Sequence, residues 1–326
     1  MAELTFSQAI TNTIIAEMRR DPTIFTYSWS HPSKAMVDEF GMDRVQYSAI
    51  CETQEAGAGI GAALAGMRPI VNLSMSDFAV DAWGQIVVQA AKVAFEGGYK
   101  TKCPVVFRTS YGAWGGQSVM HSNCYHNWAA NAPGLLVAVP SNAYDVVGLY
   151  RTALRTTTDP VIFFENTPAG GLKKEVPDAD YTIPFGQGAV QREGKDVTIA
   201  GVGYWVQAAL DAAADLEKEG ILAEVWDPRT LIPFDRAGLL ASVQKTGALV
   251  VTDQAPKTFG TTAEFLATVA EAMNPIPPMA RVASMDVPVG FAPTLESYML
   301  PSKDKIIAAV KAVLARKSGA TLGGGK

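Results

Sequence analysis

Short apolar runs alternate with amphipathic stretches along almost the whole chain. The runs are nearly continuous in Val, Ile, Leu and Phe, a pattern typical of parallel strands that are buried on both faces. The predicted strands are Thr23–Tyr27, Pro69–Leu73, Pro104–Arg108, Leu135–Pro140, Val161–Glu165, Asp196–Gly201, Ala223–Asp227, Ala248–Asp253 and Ala280–Ser284. The clearest helices between them are predicted at Val80–Ala94, Ala143–Ala153, Val206–Glu219 and Ile306–Ala315. This alternation predicts βαβ units, and therefore an α/β fold built on doubly wound parallel sheets.

The chain has 326 residues, about twice the ~150 residues of an average domain, so we expect two domains. Residues 167–195 are rich in proline, glycine and polar side chains, and Gly188–Gly194 is predicted to form part of a connecting hairpin. We therefore expect one α/β domain over residues 1–190 and a smaller one over 191–316. Residues 317–326 have almost nothing apolar to bury, which predicts a mobile tail.

Composition narrows the class of protein. With 48% hydrophobic and 18% charged residues the chain is suited to packed cores, and its net charge of −5 without a basic run argues against a nucleic-acid partner. No apolar run is long enough to span ~30 Å of bilayer, and the first residues lack the pattern of a signal peptide. The three cysteines form no CxxC pair. We expect a cytoplasmic protein with reduced thiols.

A glycine-rich run begins at Gly57 and continues through Gly59 and Gly61, with Asp77 twenty residues after the first glycine. The spacing is similar to a dinucleotide-binding fingerprint with its ribose-binding acid. That fingerprint must follow a strand directly, whereas here the segment Cys51–Ala56 intervenes after the predicted strand at 45–48. The small residues favour a helix that packs closely against a neighbour. An NAD-binding oxidoreductase that uses Gly57, Gly59 and Asp77 stays as an alternative of another class.

Two carboxylates, Glu52 and Glu55, precede this small-residue segment. A carboxylate at a helix N-terminus is usually a partner of the helix dipole. Glu52 also follows a predicted strand, so it lies at the carboxyl edge of the sheet, where open α/β folds bind their ligands. The sequence alone leaves both interpretations open.

Two of the three histidines, His121 and His126, lie five residues apart in a predicted glycine-rich loop that starts at Gly115. Such a loop is a plausible position for proton transfer, and a purely structural role for His121 is the alternative. A zinc site would need a third ligand at suitable spacing, and a serine hydrolase would need a GxSxG elbow. The sequence shows neither, and we expect no metal ligands in this chain.

At these residues the chain resembles the β subunit of the thiamine-diphosphate-dependent decarboxylating component of 2-oxoacid dehydrogenases. The pyruvate, branched-chain and acetoin dehydrogenases belong to this family. The resemblance covers about residues 4–315, and its main segments are Glu52, Gly57–Pro69, Asp77-Phe78, Gln85-Ile86, Ala90–Lys92, Pro104–Arg108, Gly115-Gly116, His121-Ser122, Pro133–Leu135, Asp159–Glu165, Asp196–Ile199, Asp227–Leu231, Ala255–Lys257 and Asp286–Pro288. It implies a pyrimidine-binding domain followed by a transketolase C-terminal-like domain. The activity it implies is cleavage of a C–C bond in a 2-oxoacid or acyloin, with transfer of the acyl unit to an acceptor such as lipoyl.

The resemblance also implies roles for individual residues. Glu52 occupies the position of the glutamate that bonds to the pyrimidine ring of thiamine diphosphate and activates the cofactor. Phe78 matches the aromatic residue that packs on the pyrimidine, and Ile50 and Ser74 fall at positions that line the same pocket. His121 matches the histidine that orients the substrate and transfers protons during acyl transfer.

The family's magnesium-binding Gly-Asp-Gly motif is absent from this chain. The resemblance therefore implies an α partner that supplies the Mg²⁺ ligands, in a heterotetramer of two α and two β chains, and a lipoyl-bearing acyltransferase core as a further partner. The stretch Tyr27–His31 replaces the family's usual Gly-Glu-Asp turn, and Thr156–Thr158 replace an aspartate-bearing loop. These departures leave the substrate and acceptor open. A split transketolase-like ketol transferase without a lipoyl partner and a non-catalytic scaffold are the alternatives.

Overall fold

The computed structural model describes residues 1–30 and 32–319. Two compact units are formed. The first comprises residues 1–112, 120–185 and 231–233, and the second comprises residues 113–119, 186–230 and the chain from residue 234 onward. Most of the predicted mobile tail, residues 320–326, lies outside the described residues. The proposed domain bounds at residues 190 and 316 stay predictions.

Strands and helices alternate in both units. The strands are β1 (Ala2–Thr5), β2 (Ile24–Ser28), β3 (Val45–Tyr47), β4 (Arg68–Met75), β5 (Val106–Tyr111), β6 (Leu136–Ala138), β7 (Val161–Asn166), β8 (Lys173–Val176), β9 (Ala189–Arg192), β10 (Val197–Gly201), β11 (Ala223–Asp227), β12 (Thr230–Ile232), β13 (Leu249–Pro256) and β14 (Met279–Ser284). The α-helices are α1 (Phe6–Arg20), α2 (Lys34–Phe40), α3 (Glu52–Leu64), α4 (Ser76–Ala79), α5 (Ala91–Glu96), α6 (His126–Ala130), α7 (Ala143–Arg155), α8 (Trp205–Glu217), α9 (Arg236–Thr246), α10 (Thr261–Ala272), α11 (Pro293–Met299) and α12 (Lys303–Lys317). Short 3₁₀-helices lie at Val80–Ala82 and Thr167–Gly171, and a π-helix lies at Gly84–Ala90. Among the described helices, none is long and apolar enough to cross a membrane.

Four α-helices begin with a side-chain N-cap, at Thr5, Asn142, Asp235 and Ser302. Thr5 and Gln8 form a reciprocal capping box at the start of α1. The side chains of Asn142 and Ser302 cap α7 and α12 by accepting backbone N–H bonds. Helix α3 differs, because Cys51 at its N-cap makes no side-chain cap bond and the first turn holds carboxylates instead.

The first unit is built on a seven-stranded sheet in the order β12-β6-β7-β5-β4-β2-β3. The pairings from β6 to β3 are all parallel. Strand β7 is buried along its whole length, as its continuous apolar sequence predicts. Helix α1 packs against α7, and α3 packs against β4. The predicted α/β class is confirmed in this unit.

The second unit is built on a five-stranded sheet in the order β14-β13-β10-β11-β9. Four strands are parallel, and β9 runs antiparallel to β11 at the edge. The predicted hairpin at Gly188–Gly194 is therefore wrong. The strand before β9 in sequence, β8, pairs with β1 instead, and β9 pairs with β11, which leaves the backbone groups of that edge of β11 satisfied.

The predicted helix Val80–Ala94 is also different in the structure. A 3₁₀ turn, a seven-residue π-helix and α5 follow each other over this stretch. The buried residues Ala82, Ile86 and Ala90 are spaced four apart. An α-helix and this composite helix bury the same positions, so the apolar periodicity cannot distinguish between them.

The glycine-rich run lies inside helix α3 rather than at a strand–helix turn. A Cβ atom added at Gly59 would lie 2.4 Å from the side chain of Val71 on β4, so this glycine permits close approach of the helix to the sheet. Residues 48–51 separate β3 from α3. The structure thus removes the geometry that the dinucleotide-binding alternative requires, and the close-packing interpretation of Gly57 and Gly59 replaces it.

Two glycine substitutions in α3 should have opposite effects. Gly59→Ala should lower the free energy of unfolding by about 1–3 kcal/mol because its methyl group overlaps Val71. Gly61→Ala should raise it by up to about 1 kcal/mol, since a Cβ there meets open space in the described structure and alanine is the better helix former. Urea unfolding of both variants tests the packing, and equal effects would contradict it.

Candidate active site

The carboxyl ends of β3 and β4 in the first unit bring together most of the residues singled out by the sequence. Residues 48–51 lead from β3 into α3, whose first residue is Glu52. Only 7% of Glu52 is exposed, and its carboxylate is at the helix N-terminus, where the dipole favours negative charge. Ile50, by contrast, is 69% exposed on this chain. The loop therefore pairs a buried acid with an open apolar side chain.

A second buried carboxyl lies one helical turn further on. Glu55 is 0% exposed, and the hydroxyl of Ser48 donates a 2.5 Å hydrogen bond to its Oε1. Burial raises the pKa of the Glu55 carboxyl, and the negative charge of Glu52 raises it further, while the Ser48 bond acts in the opposite direction. Glu52 and Glu55 thus form a pair of buried acids with different surroundings.

The end of β4 is held in an unusual backbone conformation at Ser74, which has a φ of 59°. Its N–H donates to the side-chain oxygen of Asn72, and its carbonyl accepts bonds from the hydroxyls of Thr109 and Ser110 on β5. The left-handed conformation is uncommon outside glycine and here is fixed by these bonds. It redirects the chain into α4, which bears Asp77 and Phe78.

Phe78 and His121 are in contact. Their ring centroids are 5.3 Å apart at an angle of 87°, an edge-to-face arrangement that aromatic rings favour. Both side chains are half-buried. The structure therefore places the predicted pyrimidine-packing residue directly beside the predicted active-site histidine.

The loop that contains His121 is attached to α4 by Asp77. One Asp77 oxygen accepts a short bond from the side-chain amide of Asn123, and the other accepts from the Asn123 backbone N–H at 3.4 Å. The hydroxyl of Ser76 donates to the Asn123 carbonyl at 2.9 Å. Asp77, considered above as a ribose-binding acid, therefore positions the histidine loop. The sequence gives no sign of this role, since the two partners lie 46 residues apart.

The second histidine of the loop has a different environment. His126 is fully buried and packs edge-on against Tyr111 and Phe164, with centroid distances of 5.2 and 5.9 Å. Nearer the surface, the ring of Trp128 packs against Tyr125 and Trp83, with distances between ring centroids of 4.8 and 6.5 Å. His121 is thus the histidine placed with Phe78, and His126 belongs to an aromatic core.

Two models of known protein families match this chain. A model of the transketolase pyrimidine-binding domain matches residues 2–171, and one of the transketolase C-terminal domain matches residues 186–306. The chain belongs to the transketolase family. The two-domain fold and the family expected from the sequence motifs are confirmed.

Individual relatives of this transketolase-family chain agree with that assignment. It is 39% identical to the acetoin:2,6-dichlorophenolindophenol oxidoreductase subunit beta of Bacillus subtilis (strain 168), over 84% of this chain and 81% of the relative. It is 36% identical to the 2-oxoisovalerate dehydrogenase subunit beta of the same organism, over 95% and 98%. Identity to the mitochondrial pyruvate dehydrogenase E1 component subunit beta-2 of Oryza sativa subsp. japonica is 37%, over 95% and 86%.

A solved structure shows the same fold. The inactive beta4 tetramer of a split gene transketolase superposes with a TM-score of 0.80, at 25% identity, over 96% of this chain and 98% of the other. The fold of this transketolase-family chain is therefore shared with a protein that is itself encoded in separate pieces.

The residues at the site have the chemistry to bind a flat heteroaromatic ring. A buried acid at a helix N-terminus and an aromatic ring beside a histidine fit a flat, nitrogen-containing ring. Among the described residues, no group of three or more His, Cys, Asp or Glu side chains could hold a metal ion. The first unit therefore fits the pyrimidine end of thiamine diphosphate, and its described residues offer no cluster for a diphosphate-bound Mg²⁺.

Replacing Asp77 by alanine should loosen the histidine loop. The variant loses both acceptors for Asn123, so we expect the free energy of unfolding to fall by about 1–3 kcal/mol and the Asn123 amide to exchange faster. Hydrogen–deuterium exchange read out by mass spectrometry measures the amide. Asp81→Ala is the control, since that side chain is exposed and makes no hydrogen bond within the described structure. Equal protection in both variants would contradict the assignment.

Proposed function

We propose that this chain is the β subunit of a thiamine-diphosphate-dependent enzyme. The enzyme cleaves the C–C bond beside the carbonyl of a 2-oxoacid or an acyloin and passes the acyl unit to an acceptor such as lipoyl. The observation that supports this most directly is the buried Glu52 at the start of α3, in a chain 36–39% identical to subunits named for acetoin, 2-oxoisovalerate and pyruvate dehydrogenases.

Four residues would hold the pyrimidine end of the cofactor. Glu52 accepts a hydrogen bond from a protonated ring nitrogen, and its burial strengthens that interaction relative to one in water. Phe78 would offer its ring for packing on the pyrimidine, beside His121, with which it makes an edge-to-face contact. Ile50 and Ser74 line the same end of the site, one from the β3–α3 loop and the other from the end of β4.

When bound, thiamine diphosphate would supply the carbanion chemistry that protein side chains lack. The residues of the protein would position and polarise the cofactor. Glu52 holds a proton at the pyrimidine nitrogen. His121 would orient the substrate and move protons to or from its oxygen, the general acid–base role for which imidazole is the side chain used most often. The Asp77–Asn123 bonds keep that imidazole in place.

An α partner completes the site in this proposal. The chain has no Gly-Asp-Gly motif for the Mg²⁺ that holds the diphosphate, so those ligands would come from α chains in a heterotetramer of two α and two β. The exposure of Ile50 supports this arrangement, because a cofactor-lining apolar side chain at the surface of one chain fits a site that a second chain covers. A lipoyl-bearing acyltransferase core is the proposed acceptor of the acyl unit.

The likeness to a split gene transketolase favours one second candidate, transfer of a ketol unit between sugars. The identity to that protein is 25%, against 36–39% for the dehydrogenase subunits. A screen of 2-oxoacids, acetoin and ketose phosphates with the assembled enzyme separates the two reactions.

Glu52→Gln tests the proposed function. The amide keeps the size of the side chain but removes the carboxylate, so hydrogen–deuterium exchange at the thiazolium carbon of the bound cofactor should fall by orders of magnitude in the α-containing complex. A helix-end charge alone would cost only ~0.3–1 kcal/mol of stability and leave this exchange intact. Glu271→Gln, on the exposed face of α10, is the matched control. Wild-type exchange in a well-assembled Glu52→Gln enzyme would end the proposed role.

A further inference from the structure

Glu296, on α11, is a buried carboxyl group that the proposed function does not use. It is 8% exposed. Its Oε1 accepts a 3.1 Å hydrogen bond from the N–H of Gly115, and its Oε2 accepts a 2.8 Å bond from the N–H of Gly116. These three residues belong to the second unit, and the two glycines form the turn that opens the loop of His121. Both oxygens of the carboxyl group therefore bind the beginning of the histidine loop.

The glycine turn has a backbone shape that suits such a contact. The φ angle is 66° at Gly115 and 76° at Gly116, and Ser118 is also left-handed with a φ of 70°. Successive N–H groups in a turn can converge on an anion. Glycine loses more conformational freedom on folding than any other residue, so a turn with two adjacent glycines needs a contact that keeps it in one conformation. The carboxyl group of Glu296 provides that contact.

Further contacts join the turn to the segment around α11. Ala113 packs with Val289 and Leu300 in a small apolar cluster of the second unit. A Cβ atom added at Gly116 would lie 2.8 Å from the carbonyl oxygen of Phe291, so the two backbones are in close contact at this point. The carboxyl bonds are thus the polar part of a packed contact, and they are the part that one substitution of similar size can weaken.

The same loop is attached at its other end by the Asp77–Asn123 bonds described above. Residues 117–122, which include His121, lie between the two attachments. A segment that is fixed at both ends has fewer conformations than one that is fixed at a single end. Loss of either attachment should therefore broaden the range of positions of the imidazole, whose edge-to-face contact with Phe78 requires one defined position.

We propose that Glu296 is a positioning residue that holds the loop of His121 through the backbone of Gly115 and Gly116. The inference rests on the proposed function only for the catalytic role of His121, because the attachment itself is a property of this chain. In this proposal Glu296 does not touch the reacting atoms. It acts by limiting the conformations of the loop between the two attachments.

Glu296→Gln and Asp235→Asn form a matched pair of variants. A glutamine keeps the size of the side chain and one acceptor, but its NH₂ group faces an N–H donor, so one of the two glycine bonds is lost. Asp235 also accepts bonds from two glycine N–H groups, those of Gly188 and Gly238, at 2.8 Å each, and it belongs to the same unit. Asp235→Asn therefore removes a comparable bond that does not hold the histidine loop.

The first test reads the imidazole of the full chain without a cofactor. The chain has three histidines, so a ¹H–¹³C NMR spectrum can separate their ring signals, and His121→Gln identifies the signal of His121. In Glu296→Gln this signal should move away from its wild-type position, because the ring current of Phe78 acts on the imidazole only while the two rings are in contact. Asp235→Asn should leave the signal in place. An unchanged His121 signal in folded Glu296→Gln would overturn the proposal.

Amide exchange tests the attachment in the wild-type chain, and it decides the matter even where Glu296→Gln does not fold. Gly115 is exposed, so without the carboxyl bond its N–H would exchange at the rate of an unstructured glycine. The amides of Gly115 and Gly116 should instead exchange about tenfold more slowly than that rate, or slower still. Exchange at the unstructured rate would contradict the attachment.

The complex with the α chain tests the consequence for catalysis. Glu52 acts on the cofactor and His121 on the substrate in the proposed function. Glu296→Gln should therefore leave hydrogen–deuterium exchange at the thiazolium carbon near the wild-type rate and lower kcat/KM for acyl transfer by about 10- to 100-fold, a loss that a slightly misplaced group can cause. Asp235→Asn should change neither quantity.

Two results would contradict a role of Glu296 through His121, namely an equal loss of thiazolium exchange and acyl transfer, or no loss of either. If the wild-type complex binds no thiamine diphosphate, the proposed function fails. The NMR signal of His121 and the amide exchange of the glycine turn then still decide whether Glu296 holds the loop.

Discussion

The close approach of helix α3 to strand β4 determines where Glu52 and Glu55 lie. Because Gly59 has no side chain, the backbone of α3 can lie close to the side chain of Val71. With the helix at this depth, its first turn meets the carboxyl edge of the sheet, so that Glu52 and Glu55 are withdrawn from solvent. A larger residue at position 59 would push the helix outward and expose both acids. Gly59 therefore influences the site through the position of α3.

The same depth creates a difference between two otherwise similar carboxyl groups. Glu52 is the first residue of its helix and receives the favourable field of the N-terminus, which supports a buried anion. Glu55 is fully buried, and burial together with the charge of Glu52 raises the pKa of its carboxyl, against the hydrogen bonds from the Ser48 side chain and the Trp29 backbone. On the opposite side of the site, the bonds from Asn123 to Asp77 hold the loop of His121 against Phe78. One acid is thus placed at the helix N-terminus and another fixes the histidine loop.

The sequence predicts the parallel strands well because burial on both faces leaves a continuous apolar run, as in Val161–Asn166. It also predicts that the small residues of α3 pack closely. It does not predict that β9 pairs with β11, since partners of an edge strand depend on tertiary contacts rather than on local pattern. The sequence also does not predict the π-helix at Gly84–Ala90, because the buried positions of this helix are spaced like those of an α-helix. The Asp77–Asn123 hydrogen bonds join residues that are far apart in the chain, so no sequence motif predicts them.

Thiamine diphosphate binding in the presence of Mg²⁺ distinguishes half of a site from a whole one most directly. Isothermal calorimetry would compare this chain alone with the same chain in complex with a co-purified α chain. Because this chain carries no Gly-Asp-Gly motif for the Mg²⁺ that holds the diphosphate, we expect weak binding to the isolated chain and tight, Mg²⁺-dependent binding to the complex. Tight, Mg²⁺-dependent binding by the isolated chain would contradict the assignment of this protein as the pyrimidine-binding half of a two-chain enzyme.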